Sequence, residues 1–225
     1  MIFSRKQIFL FVSIMTLLIV LSYFYIDKSV SLYFIEHAET YKTFGKRVSA
    51  LGESHWYIGA GVLGALFYSF VKKNRLYKMR FLFLLYVNLF SGLISVLLKP
   101  LFGRLRPWKL ENGEDSYGFL IAQNPDFTLW QNIEYQISML VKESTHYSSF
   151  PSGHTTTSMA VFTYLMILFP KYTYVWIGIT LLSLTSRIFA NDHFISDLFA
   201  GIIVGVLSTL FIYSKMKDSL EKDTH

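Results

Sequence analysis

The chain has 225 residues and a mass of 26.1 kDa; 52% of its residues are apolar, 18% aromatic and only 16% charged, with a mean hydropathy of +0.39. That balance excludes a disordered chain, and the absence of cysteine excludes a disulfide framework, a thiolate zinc site, an iron–sulfur cluster and a cysteine nucleophile. A formal charge of +6 raises nucleic acid as a partner class, so where the positive residues sit matters more than their sum.

The apolar residues come in six runs nearly free of charge: 8–26, 56–71, 81–98, 155–169, 172–186 and 194–213. At 1.5 Å per residue a membrane-crossing helix needs about 20 residues, within a range of about 17–25. Three runs meet that directly; those at 56, 155 and 172 need a flanking polar residue or two at each end. Six such runs in 225 residues leave too little polar chain to coat them as buried helices of a soluble protein. The sequence therefore predicts an all-α, polytopic membrane bundle of six transmembrane helices, forming one domain over 1–225. Arg5 and Lys6 ahead of the first run give it the look of a signal peptide. The run is longer than the usual apolar core of about 7–15 residues, so it reads as a span.

Charge sets the orientation. Segments 1–7, 72–80, 170–171 and 214–225 hold eleven of the 21 Lys and Arg but three of the 15 acids. Positive loops stay in the cytoplasm, which places both termini inside and removes the main support for nucleic-acid binding. The outward segments are then 27–55, 99–153 and 187–193. The middle one is the largest, holds four of the five prolines, and contains an amphipathic stretch at 133–141 suited to lying on the membrane surface.

Polar residues at span ends are costly and usually functional, and here they gather on the outward side. Lys99 ends the third span and is followed by Arg104, Arg106 and Pro107. Pro151, Ser152, Gly153 and His154 open the fourth. Ser186 and Arg187 close the fifth, and His193 with Asp197 opens the sixth. The collection suits a phosphate: Lys99, Arg106 and Arg187 supply cations. Ser152 and Gly153 stand where first-turn amides face an anion. Two histidines supply a nucleophile and a proton donor. His193 and Asp197, at i and i+4, share a helix face, so the carboxylate can fix the imidazole tautomer. Arg104 reads equally as an anchor reaching headgroups, and Asp192 as a helix cap. His37, His55, His146 and His225 read as structural, as does Glu143 beside His146. Gly201 and Gly205 read as close helix packing, within the fold or between copies.

The series Lys99-x6-Arg106-Pro107, Pro151-Ser-Gly-His154 and Ser186-Arg187-x5-His193-x3-Asp197 resembles the three-part signature of the type 2 phosphatidic acid phosphatase superfamily, with every position filled. The resemblance implies a metal-independent, cofactor-free lipid phosphatase acting in two steps. His193 would form a phosphohistidine with Asp197 orienting it, and His154 would protonate the departing oxygen. Lys99, Arg106, Ser152, Gly153 and Arg187 would hold the phosphate. It admits phosphatidylglycerophosphate, phosphatidic acid, undecaprenyl pyrophosphate or lipid A as substrate, at the outer face of a multi-pass cell membrane such as a bacterial inner membrane. Two alternatives stay open: a lipid-to-lipid phosphotransferase using the same intermediate, and a non-catalytic phosphate-lipid binder or transporter. The span interiors lack the midplane charges that a transport path needs.

Overall fold

The computed structural model describes residues 3–112, 117–119, 126–143 and 145–221, and it is helical; no strand occurs among the described residues. His225 and part of the 99–153 segment lie outside them. Among the described residues nine α-helices follow one another: α1 (Arg5–Tyr25), α2 (Asp27–Glu36), α3 (Ala38–Ser49), α4 (Ser54–Phe70), α5 (Arg75–Phe102), α6 (Leu129–Lys142), α7 (Gly153–Leu168), α8 (Thr173–Phe189) and α9 (Ile195–Glu221). Each of the six apolar runs falls largely within one helix. Three of them, α1, α5 and α9, are long and apolar enough to cross a membrane, while α4, α7 and α8 have 17, 16 and 17 residues.

Local chemistry sets the helix ends. Ser4 and Gln7 form a capping box at α1, and Thr128 and Gln131 repeat it at α6. Asn74 caps α5, whose far end stops at Gly103. Gly103 takes the left-handed conformation (φ 50°), which a residue without Cβ adopts freely, and there the chain turns to bring in Arg104. Segment 27–55, read from the sequence only as outward, is almost entirely helical.

Helices α5, α7 and α9 form the centre: α9 packs along α7 and α5, α4 along α5, α1 along α9, and α3 along α8. The apolar core is Phe83, Leu84 and Val87 on α5, Ala160, Val161 and Tyr164 on α7, and Met216 and Leu220 on α9. It sits toward the start of α5 and the ends of α7 and α9. At the other end the same three helices bury Ser91, Ser95, Thr155, Thr156, Ser196 and Asp197 instead. One end of the bundle is thus held by apolar burial, while the other is filled with small polar side chains, among them Thr156 bonded to the Ser152 carbonyl and Ser196 and Asp197 bonded to Arg104.

Close backbone approach brings α7 and α9 together at the polar end. A Cβ on Gly201 would lie 2.8 Å from the Ser152 carbonyl oxygen, and one on Gly205 2.5 Å from that of Thr156. The small-residue pair therefore serves packing within the fold. Helix α6 buries Asn132 and Gln136 and turns Leu129, Trp130, Ile137 and Val141 outward, extending the expected amphipathic stretch by four residues at its start and one at its end.

Candidate active site

The helix ends at the polar pole assemble the predicted residues. Lys99 comes from the last turn of α5, Arg106 from the segment after it, and Gly153 and His154 from the first turn of α7. Arg187 comes from the last turn of α8 and His193 from the turn between α8 and α9. That turn is shaped by Asn191, which adopts φ 53°, a region Asn tolerates better than most residues, and accepts a hydrogen bond from Ser31 Oγ at 2.9 Å. The Asn191 and Asp192 amides bond back to the carbonyls of Ile188 and Arg187 at 2.9 and 3.1 Å, leaving His193 at the head of α9.

His193 is buried. Its Nδ1 lies 2.8 Å from the backbone carbonyl oxygen of Ser149 and 3.6 Å from Asp197 Oδ2. The nearer acceptor for the Nδ1 proton is therefore the Ser149 carbonyl, with Asp197 acting behind it: Oδ2 accepts from Ser149 Oγ at 2.6 Å and from the Phe194 amide at 2.9 Å. Either acceptor leaves Nε2 as the basic nitrogen. Burial, reinforced by Arg106, Arg187 and Lys99, holds the imidazole well below its ordinary pKa, so it is neutral at physiological pH.

The cations are held unequally. Arg187 gives one arm to Asp192 at 2.7 Å and the other to the Ser49 hydroxyl, so Asp192 serves as an arginine partner. Among the described residues the Arg106 side chain reaches only Ser148 Oγ, at 3.5 Å, and its buried Nε has no partner. The Lys99 amine lies 3.8 Å from where a Gly153 Cβ would stand, so the glycine keeps the ammonium close to the start of α7.

At that start Ser152 is the cap, with Oγ accepting from the Thr155 amide at 3.4 Å. Its own N–H donates to the Asp197 carbonyl at 3.1 Å. The first-turn amides open to an anion are therefore those of Gly153 and His154, one residue further along than the Ser152–Gly153 pair that the sequence pointed to. The His154 ring lies against Gly52, where a Cβ would come within 3.1 Å of the histidine's own Cβ. A cleft of about 360 Å³ opens here, lined by Glu53, Ser54, His55, Ser95, Lys99 and His154 among others.

Arg104 is no headgroup anchor. Its guanidinium is fully buried, bonded to Asp197 Oδ1 at 2.6 Å and to Asp27 Oδ2 at 2.9 Å, with the Phe194 ring centre 4.2 Å away. Burial works against its charge, but the two carboxylates outweigh that and hold its pKa above the ordinary value. Asp27, Ser149 and Ser196 were not singled out in the sequence. Of these, Ser149 lies two residues before Pro151 and Ser196 falls within the His193-x3-Asp197 spacing, while Asp27 lies beside no motif. His146 pairs with Glu143 at 2.7 Å, and no cluster of three or more metal-ligating side chains occurs among the described residues.

The helical bundle thus gathers two histidines, three cations and open helix-start amides at one pole. The chain belongs to the PAP2 superfamily, whose family model matches residues 80–221. It is 28% identical over 194 residues to a lipid A 1-phosphatase of Rhizobium etli, covering 80% of this chain and 75% of that protein. A lipid A 4'-phosphatase of Porphyromonas gingivalis is 33% identical over 58% of this chain and 48% of its own length. A bacitracin transport permease protein of Bacillus licheniformis is 37% identical over 29% of this chain and 32% of its own. No solved structure matches the chain.

Proposed function

We propose that this chain is an integral membrane phosphatase that hydrolyses a phosphate ester or pyrophosphate of a membrane lipid. It would cross the membrane six times with both termini in the cytoplasm and its active site at the extracytoplasmic face of a bacterial inner membrane. Loop charge supports the orientation, the coincidence of six apolar runs with six helices supports the spans, and the outward apolar face of α6 suits a membrane surface. The observation that carries the function is a buried, neutral His193, its Nδ1 facing an acceptor, set among Lys99, Arg106 and Arg187.

Catalysis runs in two displacements. His193 Nε2 attacks phosphorus and the bond from phosphorus to the lipid oxygen breaks. Burial, with Arg187, Arg106 and Lys99, holds the His154 pKa down in the free site; the bound phosphate offsets those cations, so His154 takes up a proton with the substrate and gives it to the departing oxygen. Lys99, Arg106, Arg187 and the amides of Gly153 and His154 hold the phosphoryl oxygens as charge builds on them. His154 then removes a proton from water, which attacks the phosphohistidine and releases inorganic phosphate. The protein needs no metal for either step. Among the lipids that the motifs admit, lipid A has the support of two relatives named for acting on it.

The test is phosphate release by detergent-purified protein in EDTA, wild type beside His193→Ala. The panel holds lipid A, phosphatidylglycerophosphate, phosphatidic acid and undecaprenyl pyrophosphate. Release from one or more lipids, with both turnover and phosphoenzyme lost in the variant, establishes the phosphatase. No release from any lipid, or full release by the variant, overturns it.

A further inference from the structure

We propose that Asp27 and Arg104 form a buried positioning couple that fixes how Asp197 supports the nucleophile, so that a residue from the head of α2 takes part in tuning His193. The inference rests on the phosphatase reading. The matched region 80–221 does not include Asp27, which is the first residue of α2.

The geometry is a relay of side chains with almost no exposure to solvent: Asp27 is 1% exposed, and Arg104, Ser196 and Asp197 are 0% exposed. Arg104 divides its fork. Nη1 donates to Asp197 Oδ1 and to Ser196 Oγ, both at 2.6 Å, and Nη2 donates to Asp27 Oδ2 at 2.9 Å. Ser196 closes the ring, its amide donating to Asp27 Oδ1 at 3.0 Å and its hydroxyl to Asp27 Oδ2. The rings of Tyr23, Tyr117, Phe119 and Phe194 surround the guanidinium, with centres 4.2–5.7 Å from its central carbon.

An arginine facing a single carboxylate tends to engage both oxygens with two parallel hydrogen bonds. Asp27 prevents that by taking one arm. Arg104 then reaches only Oδ1 of Asp197, and Oδ2 stays free for the Ser149 hydroxyl and the Phe194 amide. Those two contacts hold the backbone on either side of His193 Nδ1, whose acceptor is the Ser149 carbonyl. Two carboxylates around one guanidinium also leave a net negative charge behind the ring. That charge favours the cationic imidazole that forms when Nε2 bonds to phosphorus.

Asp27→Asn tests the couple, because the amide keeps the shape but cannot accept at both former carboxylate oxygens. We expect kcat to fall on the order of 10–100-fold, the range seen when a group that orients a functional histidine is lost. KM and the inhibition constant of inorganic phosphate should stay at wild-type values, since Lys99, Arg106 and Arg187 are untouched. A folded Asp27→Asn protein with wild-type kcat overturns the proposal. So does a parallel change in KM and phosphate inhibition, which would mean a general loosening of the site. Should Asp27→Asn not fold, Ser196→Ala removes the hydroxyl joining Asp27 to Arg104 while leaving both charges paired. The same fall in kcat alone supports the couple, and an unchanged kcat refutes it. A wild type inactive on every lipid phosphate would overturn the phosphatase reading, and the positioning role with it; an active wild type with an unaffected variant overturns the positioning role alone.

Discussion

His193 Nδ1 faces the backbone carbonyl of Ser149 at 2.8 Å, while Asp197 Oδ2 stands 3.6 Å away and holds Ser149 by its hydroxyl. A main-chain acceptor orients the ring firmly because it cannot rotate out of place. The carboxylate behind it contributes charge and fixes the loop. Asp197 consequently has two duties, since it also neutralises the buried Arg104.

The second duty predicts a stability cost. Asp197→Ala leaves Arg104 in a site closed to solvent with Asp27 as its one remaining carboxylate, and the relay through Ser149 and Phe194 loses its centre. Breaking one partner of a buried ion pair costs about 3–5 kcal/mol. The variant should unfold at a clearly lower temperature in detergent as well as lose turnover. An unchanged melting temperature would show that Arg104 does not depend on this carboxylate.

The basicity of His193 gives a pH prediction with a definite sign. Burial first, then Arg106, Arg187 and Lys99, depress its pKa from the ordinary 6.5. The ring therefore stays neutral in the free enzyme below pH 6.5, and the acid limb of kcat/KM should lie below that value. Arg106→Ala removes one of the cations and should move the limb upward toward 6.5. For folding the sign is fixed by the same shift: the unfolded histidine takes up a proton below about 6.5 and the folded one does not, so stability falls as pH drops through that region. A wild-type acid limb at or above 6.5 would contradict the neutral nucleophile.

Much of this was legible in the sequence because periodicity and motif spacing act locally. The six apolar runs became helices, and Lys99, Arg106, His154, Arg187 and His193, which stand near the ends of those runs, converge at one pole. The relay behind them was not legible. Asp27 lies 77 residues from Arg104 and 169 from Ser196, so its partners exist only once the chain has folded. Arg104 carried no sign of burial either, since an arginine after a span reads as an interfacial anchor until a carboxylate is found for each arm. Ser152 shows a smaller limit: a Ser at a helix start signals a cap, but only the packing of α7 on α9 reveals that its N–H goes to the Asp197 carbonyl.

That packing makes Gly201 a sensitive position. An added Cβ would stand 2.8 Å from the Ser152 carbonyl oxygen and 2.9 Å from Thr155 Cβ, and the first of these is backbone that cannot swing aside. Gly201→Ala must push the head of α7 away from α9, at a cost of about 1–3 kcal/mol for overpacking. The displacement would carry Gly153 and His154 away from His193, so kcat should fall together with the melting temperature. Gly59, whose added Cβ would meet nothing within 4 Å, is the control, and Gly59→Ala should leave kcat unchanged. Equal activity of the two variants would show that the α7–α9 contact does not set the site.

Under the proposed function, Arg187 separates charge from geometry in phosphate binding. One arm goes to Asp192 at 2.7 Å and the other to the Ser49 hydroxyl, so the guanidinium is fixed from two sides before substrate arrives. Arg187→Lys keeps the positive charge but offers a single ammonium on a flexible stem, which cannot span Asp192 and Ser49 and still face the phosphate. KM should rise by about tenfold, the factor equivalent to 1.4 kcal/mol of lost binding. The melting temperature should change little, because the lysine can still neutralise Asp192. Kinetics on whichever lipid phosphate the wild type turns over give the answer. A wild-type KM in Arg187→Lys would mean that charge alone suffices at this position and that the anchoring by Asp192 and Ser49 serves the fold instead.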